Sequence, residues 1–298
     1  MEIFTLKSYW SLIKPKIVLA MLSLYFAPLL ANLDLAFSSL NLFYYFLGFV
    51  GVFTSVGGAN ALNCYLDRDI DLLMVRTRRR PLPLGKIKPN HALFFSLTLL
   101  GFAFTLSVIA CLTLSPIPMV LLFVGVLCYI LLYTIVGKRR SWLNVFLVSP
   151  ANACPVWLGW FLAFKSINLH GFILGMLAAL WGPLHLWIIA YIYSQDYRRA
   201  GIPMLPVLVE RKKSVLTIFV VAMLLVLASY IPYFLGFNGF VYLATITALN
   251  LLMVYFAVKF LLDPKGRNGW RLFKLTAPYI ILILFMSTID FRFTVFPA

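Results

Sequence analysis

The sequence predicts an all-α polytopic membrane protein: nine transmembrane helices around a central cavity that opens to the cytoplasmic side, forming one domain over residues 1–298. Three observations carry that expectation. The chain is 63% hydrophobic and only 11% charged, with a mean hydropathy of +0.97, whereas soluble domains carry roughly a quarter charged residues. Nine apolar runs, near 17–33, 41–63, 91–113, 117–136, 144–164, 170–193, 214–236, 239–262 and 273–291, are close to the length of about 20 residues that a helix needs to cross a bilayer. Finally, all of the 25 Lys and Arg except Lys165 and Arg292 fall in the N-terminal segment and in alternate connections. The positive-inside rule then places the N-terminus and the basic loops in the cytoplasm, and nine spans put the C-terminus outside. The net charge of +16 is therefore topological. It points to the lipid bilayer as partner and to no nucleic acid.

Taken in order, residues 4–13, with Phe4, Leu6, Tyr9 and Trp10, read as an interfacial anchor. The first apolar run follows Lys14-Pro15-Lys16 and shows no small-residue cleavage site, so no cleavable signal peptide is expected. The second helix carries Gly57, Gly58 and Ala59, small residues that let a neighbouring helix or a ligand come close.

That helix leads into residues 63–85, NCYLDRDIDLLMVRTRRRPLPLG, which hold three of the nine carboxylates of the chain, Asp67, Asp69 and Asp71. If the helix continues to Asp71, then Asn63, Asp67 and Asp71 share one face at four-residue spacing, and Asp69 points elsewhere. Two carboxylates one turn apart repel by a few tenths of a kcal/mol unless a cation lies between them. Oxygen ligands suit Mg2+, which shares its shell with phosphate. Arg76 and Arg80, among the arginines that follow, could hold phosphate oxygens. A basic cytoplasmic loop would account for the arginines alone, but not for the spaced acids. Pro81, Pro83 and Gly85 turn the chain back towards the third helix.

Between the fourth and fifth helices, Lys138 and Arg139 either reach a pyrophosphate at the same mouth or only set topology. In the fifth helix, Pro150, Asn152 and Pro155 predict an interruption that turns carbonyls and polar groups towards a cavity. In the sixth, His185 precedes Asp196 by 11 residues, about 16 Å along a helix axis. A histidine at that depth is expensive unless it pairs or works, so it is either functional or bonded to a neighbouring helix. His91 and His170 read as interfacial. The end of the sixth helix, Asp196-Tyr197-Arg198-Arg199 followed by Gly201-Ile202-Pro203, echoes the earlier loop: helix end, acid, arginines, then Pro and Gly. A duplicated four-helix unit with a ninth helix added would explain this. It would place Asp196 across the cavity from Asp67 and Asp71, with Arg199 one turn further on. The cysteines Cys64, Cys111, Cys128 and Cys154 lack ligand spacing and read as apolar fillers.

Asn63-x-x-x-Asp67-x-x-x-Asp71 resembles the first acidic motif of the UbiA superfamily of intramembrane prenyltransferases, and NCYLDRDIDLLMVRTRRRPL is similar to the branch that farnesylates protohaem IX. Lys14-Pro15-Lys16 resembles the N-terminal Lys-Pro-Arg of that branch. Tyr133-Thr134, Lys138 to Ser141 and Asn144 resemble its loop between helices 4 and 5, and Asp196 to Val207 its second loop. The resemblance implies a nine-helix fold and Mg2+ bridging acidic residues to farnesyl diphosphate, with haem b as the prenyl acceptor. It implies Asn63, Asp67, Asp71 and Asp196 as catalytic residues, with Asp67 and Asp71 on the metal. It also implies Arg76, Arg80, Lys138, Arg139 and Arg199 as diphosphate ligands and His185 at the haem. Ala200 stands where a second loop acid is usual, as it does in the haem branch, which weighs against a quinone ring or a glycerol phosphate lipid as acceptor. Two stretches depart from the pattern: Pro183-Leu184-His185-Leu186-Trp187 replaces Pro-Pro-His-Phe-Trp, and Ser149 to Cys154 replaces a Gly-rich helix start. A secondary transporter would also place a few acids in a bundle, but would have no reason to cluster them beside arginines at one mouth.

Overall fold

The computed structural model describes residues 6–32 and 39–295. Phe4 and the end of the first predicted run, residue 33, lie outside the described residues. Among those described, nine helices are long and apolar enough to cross a membrane. They are α1 (Pro15–Leu29), α2 (Ser39–Leu66), α3 (Pro89–Thr113), α4 (Ile117–Leu127, continued by a π-helix over Cys128–Gly137), α5 (Asn144–Phe164), α6 (Leu169–Ile192), α7 (Arg211–Ser229, extended by a turn over Ile231–Phe234), α8 (Phe240–Leu262) and α9 (Gly266–Val295). A short helix, Leu6–Leu12, precedes them. Its Leu6 and Trp10 are exposed and its Leu12 is buried, the two-sided pattern of an interfacial segment.

The helices divide by burial. The apolar windows of α5 and α6 are 67% and 61% buried, against 22% for α3. Thus α5 and α6 stand inside the bundle, and α3 turns Phe94, Leu97, Phe102, Phe104 and Leu112 outwards. In water such a stripe would be an aggregation liability; against hydrocarbon it costs nothing. The glycines of α2 serve close packing. A Cβ on Gly58 would meet Leu100 of α3, side chain at 2.9 Å and backbone N at 3.1 Å. All four cysteines are free, and three are buried.

Two expectations are corrected. Pro150 and Pro155 do not interrupt α5, which is helical from Asn144 to Phe164. His170 is not interfacial: it is fully buried, with Nε2 3.0 Å from Ser287 Oγ, which in turn donates to Asn238 Oδ1 at 2.9 Å. Nearby, Asp290 of α9 accepts from the backbone N–H of Gly239 and of Tyr242. The first turn of α8 is thereby capped from outside. This polar network ties α6, α8 and α9 together away from the basic loops.

The two loops that resemble each other in sequence are also built alike. Helix α2 stops at Leu66, Asp67 leaves the helical conformation (φ −94°, ψ 7°), and a six-residue helix, Arg68–Leu73, follows. Helix α6 stops at Ile192, Tyr193 breaks (φ −105°, ψ 28°), and a six-residue helix, Ser194–Arg199, carries Asp196. Gly85 and Gly201 then take positive φ, 69° and 64°, in the chain reversals after each.

Candidate active site

Despite the break at Asp67, the amide of Asp67 donates to Asn63 O (2.9 Å) and that of Asp71 to Asp67 O (2.8 Å). The four-residue repeat therefore carries through, and all three side chains are buried. Asn63 is held from two sides: its Oδ1 accepts from Lys14 Nζ at 2.7 Å, and its Nδ2 donates to Asp67 Oδ2 at 2.7 Å and to Thr134 Oγ1 at 3.1 Å. Lys138 Nζ lies 2.5 Å from the same Asp67 oxygen. Asp71 accepts from Arg80 Nη1 at 2.7 Å, and Thr77 Oγ1 donates to its backbone carbonyl. Asp67 Oδ1, by contrast, is buried without a partner. A bare carboxylate oxygen in that position is costly unless something cationic joins it.

Asp69 lies off this face, as the spacing predicts. It is exposed and forms a two-point pair with Arg139, both contacts at 2.7 Å. The Arg139 hydrogen bond holds its carboxyl below the usual aspartate range. Arg139 is thus directed to the outer surface. Asp196 is buried, and its Oδ2 accepts from the backbone N–H of Arg76 at 3.0 Å, so the second loop is tied to the first. The Arg76 guanidinium reaches Tyr197 (Nη2 to OH 3.4 Å) and lies over the Tyr193 ring at 5.3 Å. Arg199 is 3.6 Å from Asp196 Oδ1 and more than half exposed.

A cavity of about 600 Å³ opens beneath these groups. Its wall includes Asn63, Asp71, Arg76, Arg80 and Lys138 at one end, and apolar residues of α1, α2, α4 and α5 further in, among them Met21, Val52, Leu121, Val126 and Cys154. Arg139, Arg199, Asp67 and Asp196 do not line it; Asp67 sits just behind Asn63 and Lys138. Asn152 does line it, as a polar group of α5 was expected to. The π-helix sets the stacked pair Tyr129 and Tyr133, 5.9 Å between centroids, on the same wall. Tyr129 and Asn60, which hydrogen-bond each other at 3.1 Å, were missed from sequence, although Asn60 stands one turn before Asn63 on the same helix. Lys14, read as a topology signal, is a half-buried member of the site. Burial pulls its ammonium below the usual lysine range.

His185 lines the same cavity. Its ring stacks on Phe273 of α9 (4.2 Å) and lies 4.9 Å from Trp181; its Nδ1 is 2.7 Å from Thr276 Oγ1. The single hydroxyl proton of Thr276 is already given to Phe273 O at 2.8 Å. With the Thr276 hydroxyl on Phe273 O, Oγ1 accepts from Nδ1–H, the tautomer that keeps a lone pair on Nε2. Among the described residues no three His, Cys, Asp or Glu side chains form a metal cluster by themselves. A cation at Asp67 and Asp71 would thus complete its shell with Asn63, water and substrate oxygens, as Mg2+ does. The bare Asp67 Oδ1 and the neighbouring Asp71 fit that role.

The profile of the UbiA prenyltransferase family matches residues 18–289. The chain is 36% identical over 293 residues to a protein named protoheme IX farnesyltransferase from Neorickettsia sennetsu, covering 96% of this chain and 93% of that one. It is 38% identical over 232 residues to protoheme IX farnesyltransferase 1 of Picrophilus torridus, covering 78% and 77%. Among solved structures, a digeranylgeranylglyceryl phosphate synthase superposes with a TM-score of 0.74 at 23% identity, over 95% of this chain and 98% of that one. A UbiA homologue from Archaeoglobus fulgidus bound to GPP and Mg2+ superposes with a TM-score of 0.68 at 14% identity, over 95% and 99%. At these identities the two structures establish the fold.

Proposed function

This chain belongs to the UbiA prenyltransferase family, and on that premise we propose that it transfers the farnesyl group of farnesyl diphosphate to a vinyl group of haem b, giving haem O and diphosphate. The observation that carries the reading is a single cavity with two kinds of wall. One end presents acids, an amide and fixed cations to a diphosphate. The interior is apolar, for a prenyl chain, and carries one histidine, His185, for an acceptor.

In this reading Asn63, Asp67 and Asp71 hold Mg2+ against the diphosphate, and the cytoplasm supplies both through the mouth formed by the basic loops. When bound, the metal neutralises charge on the leaving group. Arg76, Arg80 and Lys138 are the clamps: fixed cations aimed at oxygens whose negative charge grows as the allylic C–O bond breaks. Arg139 and Arg199 act from the rim, Arg139 by holding Asp69 and Arg199 by neutralising Asp196. Asp196 keeps Arg76 in place through its backbone. The rings of Tyr129, Tyr133 and Tyr197 offer negative faces to the allylic cation, and the buried apolar wall keeps water from quenching it early. The π electrons of the vinyl group form the new C–C bond. A water oxygen then adds to the resulting cation and loses its proton, so the acceptor gains a farnesyl and a hydroxyl group. His185 presents its Nε2 lone pair to the iron of the haem and orients the ring.

The test is direct. Purified protein, farnesyl diphosphate, haem b and Mg2+ are incubated together, and haems are separated and weighed by mass spectrometry. A haem heavier by one farnesyl and one hydroxyl group, absent when Mg2+ is chelated, is the expected product. Transfer to a quinone or a glycerol phosphate lipid with haem untouched would reject the acceptor assignment.

A further inference from the structure

Six cations line the cavity: Lys14, Lys16, Arg76, Arg80, Lys138 and Lys274. Four are engaged, Lys14 with Asn63, Arg76 with Tyr197, Arg80 with Asp71 and Lys138 with Asp67. Lys16 and Lys274 are different. Among the described residues neither ammonium has a hydrogen-bond, ion-pair or ring partner, and both are exposed, so they stand at the open rim of the cavity. They come from helices far apart in sequence, Lys16 from the first turn of α1 and Lys274 from α9. Lys274 directly follows Phe273, the residue stacked on His185. A basic loop that only sets topology has no need to put two unpartnered ammonium groups on the wall of a ligand cavity.

The donor accounts for the other cations, because Arg76, Arg80 and Lys138 cluster with the acids at the diphosphate end. What remains is a pair of unused positive charges on the cavity wall, of which Lys274 adjoins the residue stacked on His185. We propose that Lys16 and Lys274 form a dicarboxylate site for the acceptor, each pairing with one propionate of the porphyrin. This rests on the haem reading above and sharpens it. In haem b the two propionates lie on one edge of the ring, and the vinyl groups lie away from that edge. Holding the propionates at the mouth keeps their charge in water, where it is cheapest, and sends a vinyl edge inwards towards the allylic carbon. The pair thus chooses which edge of a nearly symmetric disc enters, which iron contact by His185 alone cannot do.

The experiment compares haem b with its dimethyl ester, in which both carboxylates are masked, by absorbance titration of the full-length protein. Wild type is expected to bind haem b about 25-fold more tightly than the ester, and each of Lys16→Gln and Lys274→Gln to lose about fivefold of that preference, the upper scale for exposed ion pairs. The double variant should bind both porphyrins alike, and Lys→Arg at either position should keep most of the preference. Magnesium-dependent binding of farnesyl diphosphate should be unchanged throughout, which also reports that the variants are folded. Equal wild-type affinity for haem b and its ester would overturn the assignment while leaving haem as acceptor. So would a preference that survives in the double variant, or a loss of diphosphate affinity in the lysine variants. Failure of wild type to bind either porphyrin would remove the haem reading and this site with it.

Discussion

Lys138 and Asp67 form a buried pair in which Nζ approaches Oδ2 to 2.5 Å while the other carboxylate oxygen has no partner. The lysine therefore stabilises one half of a group whose other half is reserved. Lys138→Met should destabilise the metal-free protein by about 3–5 kcal/mol, the scale for an ion left alone in a buried site. Mg2+ with pyrophosphate should restore much of that loss. Melting temperatures in chelator and in Mg2+ with pyrophosphate decide it: an identical increment for wild type and variant would mean that nothing cationic joins Asp67.

The acids should separate by face. Asp67→Asn and Asp71→Asn are each expected to lower turnover at least about 100-fold, as when one electrostatic stabiliser is lost. Asp69→Asn and Arg139→Ala, an exposed pair, should change it less than about threefold. Comparable losses at Asp69 and Asp71 in folded protein would contradict this.

Asp196 offers a test of what an acid is for. Its contact with the Arg76 N–H needs an acceptor oxygen, not a charge. Asp196→Asn should keep most of the affinity for farnesyl diphosphate, and Asp196→Ala should raise its KM roughly tenfold, a charge-assisted hydrogen bond being worth about 1.5–3 kcal/mol. Arg199→Ala should have a smaller effect than Asp196→Ala, and Arg198→Ala less still. Equal damage from Asn and Ala would instead make the charge of Asp196 part of the metal site.

His185→Ala should weaken haem b binding and alter the absorbance of the bound haem, while farnesyl diphosphate binding in Mg2+ stays close to wild type. The lost contact belongs to the acceptor alone. Parallel loss of both affinities with a lowered melting temperature would mean that its bond to Thr276 is merely structural.

The spans were legible in sequence because the bilayer imposes one length on each apolar run, and the predicted runs differ from the helices mainly at their ends. The face shared by Asn63, Asp67 and Asp71 was legible for a similar reason: helical periodicity survives a single broken residue. Partner choice was not legible. Nothing in the sequence says that Arg139 takes Asp69 rather than a phosphate, since charge type is local information and pairing is tertiary. His170 failed likewise, its position near a helix end suggesting an interface when Phe237, ahead of α8, and Phe291 of α9 close over it. Lys14 was visible as a charge but not as a member of the site, because its place depends on the elbow between Leu6–Leu12 and α1, where Lys14 takes φ 54°.

The π-helix over Cys128–Gly137 bears on how this protein can change over generations. Such a stretch holds one residue more than an α-helix needs for the same turns, so a one-residue deletion there could be absorbed by reverting to ordinary helix, with little harm to stability or insertion. Residues beyond it would keep their register, but a deletion between Tyr129 and Tyr133 would bring them from four residues apart to three, a rotation of about 100° between them. The Tyr129–Tyr133 stack would then come apart, with Lys138 still at Asp67. A gene carrying that deletion would still encode a membrane-inserted nine-helix protein, but one whose cavity wall has lost its aromatic pair. In this segment reading-frame-preserving length changes, more than substitutions, are what selection must remove.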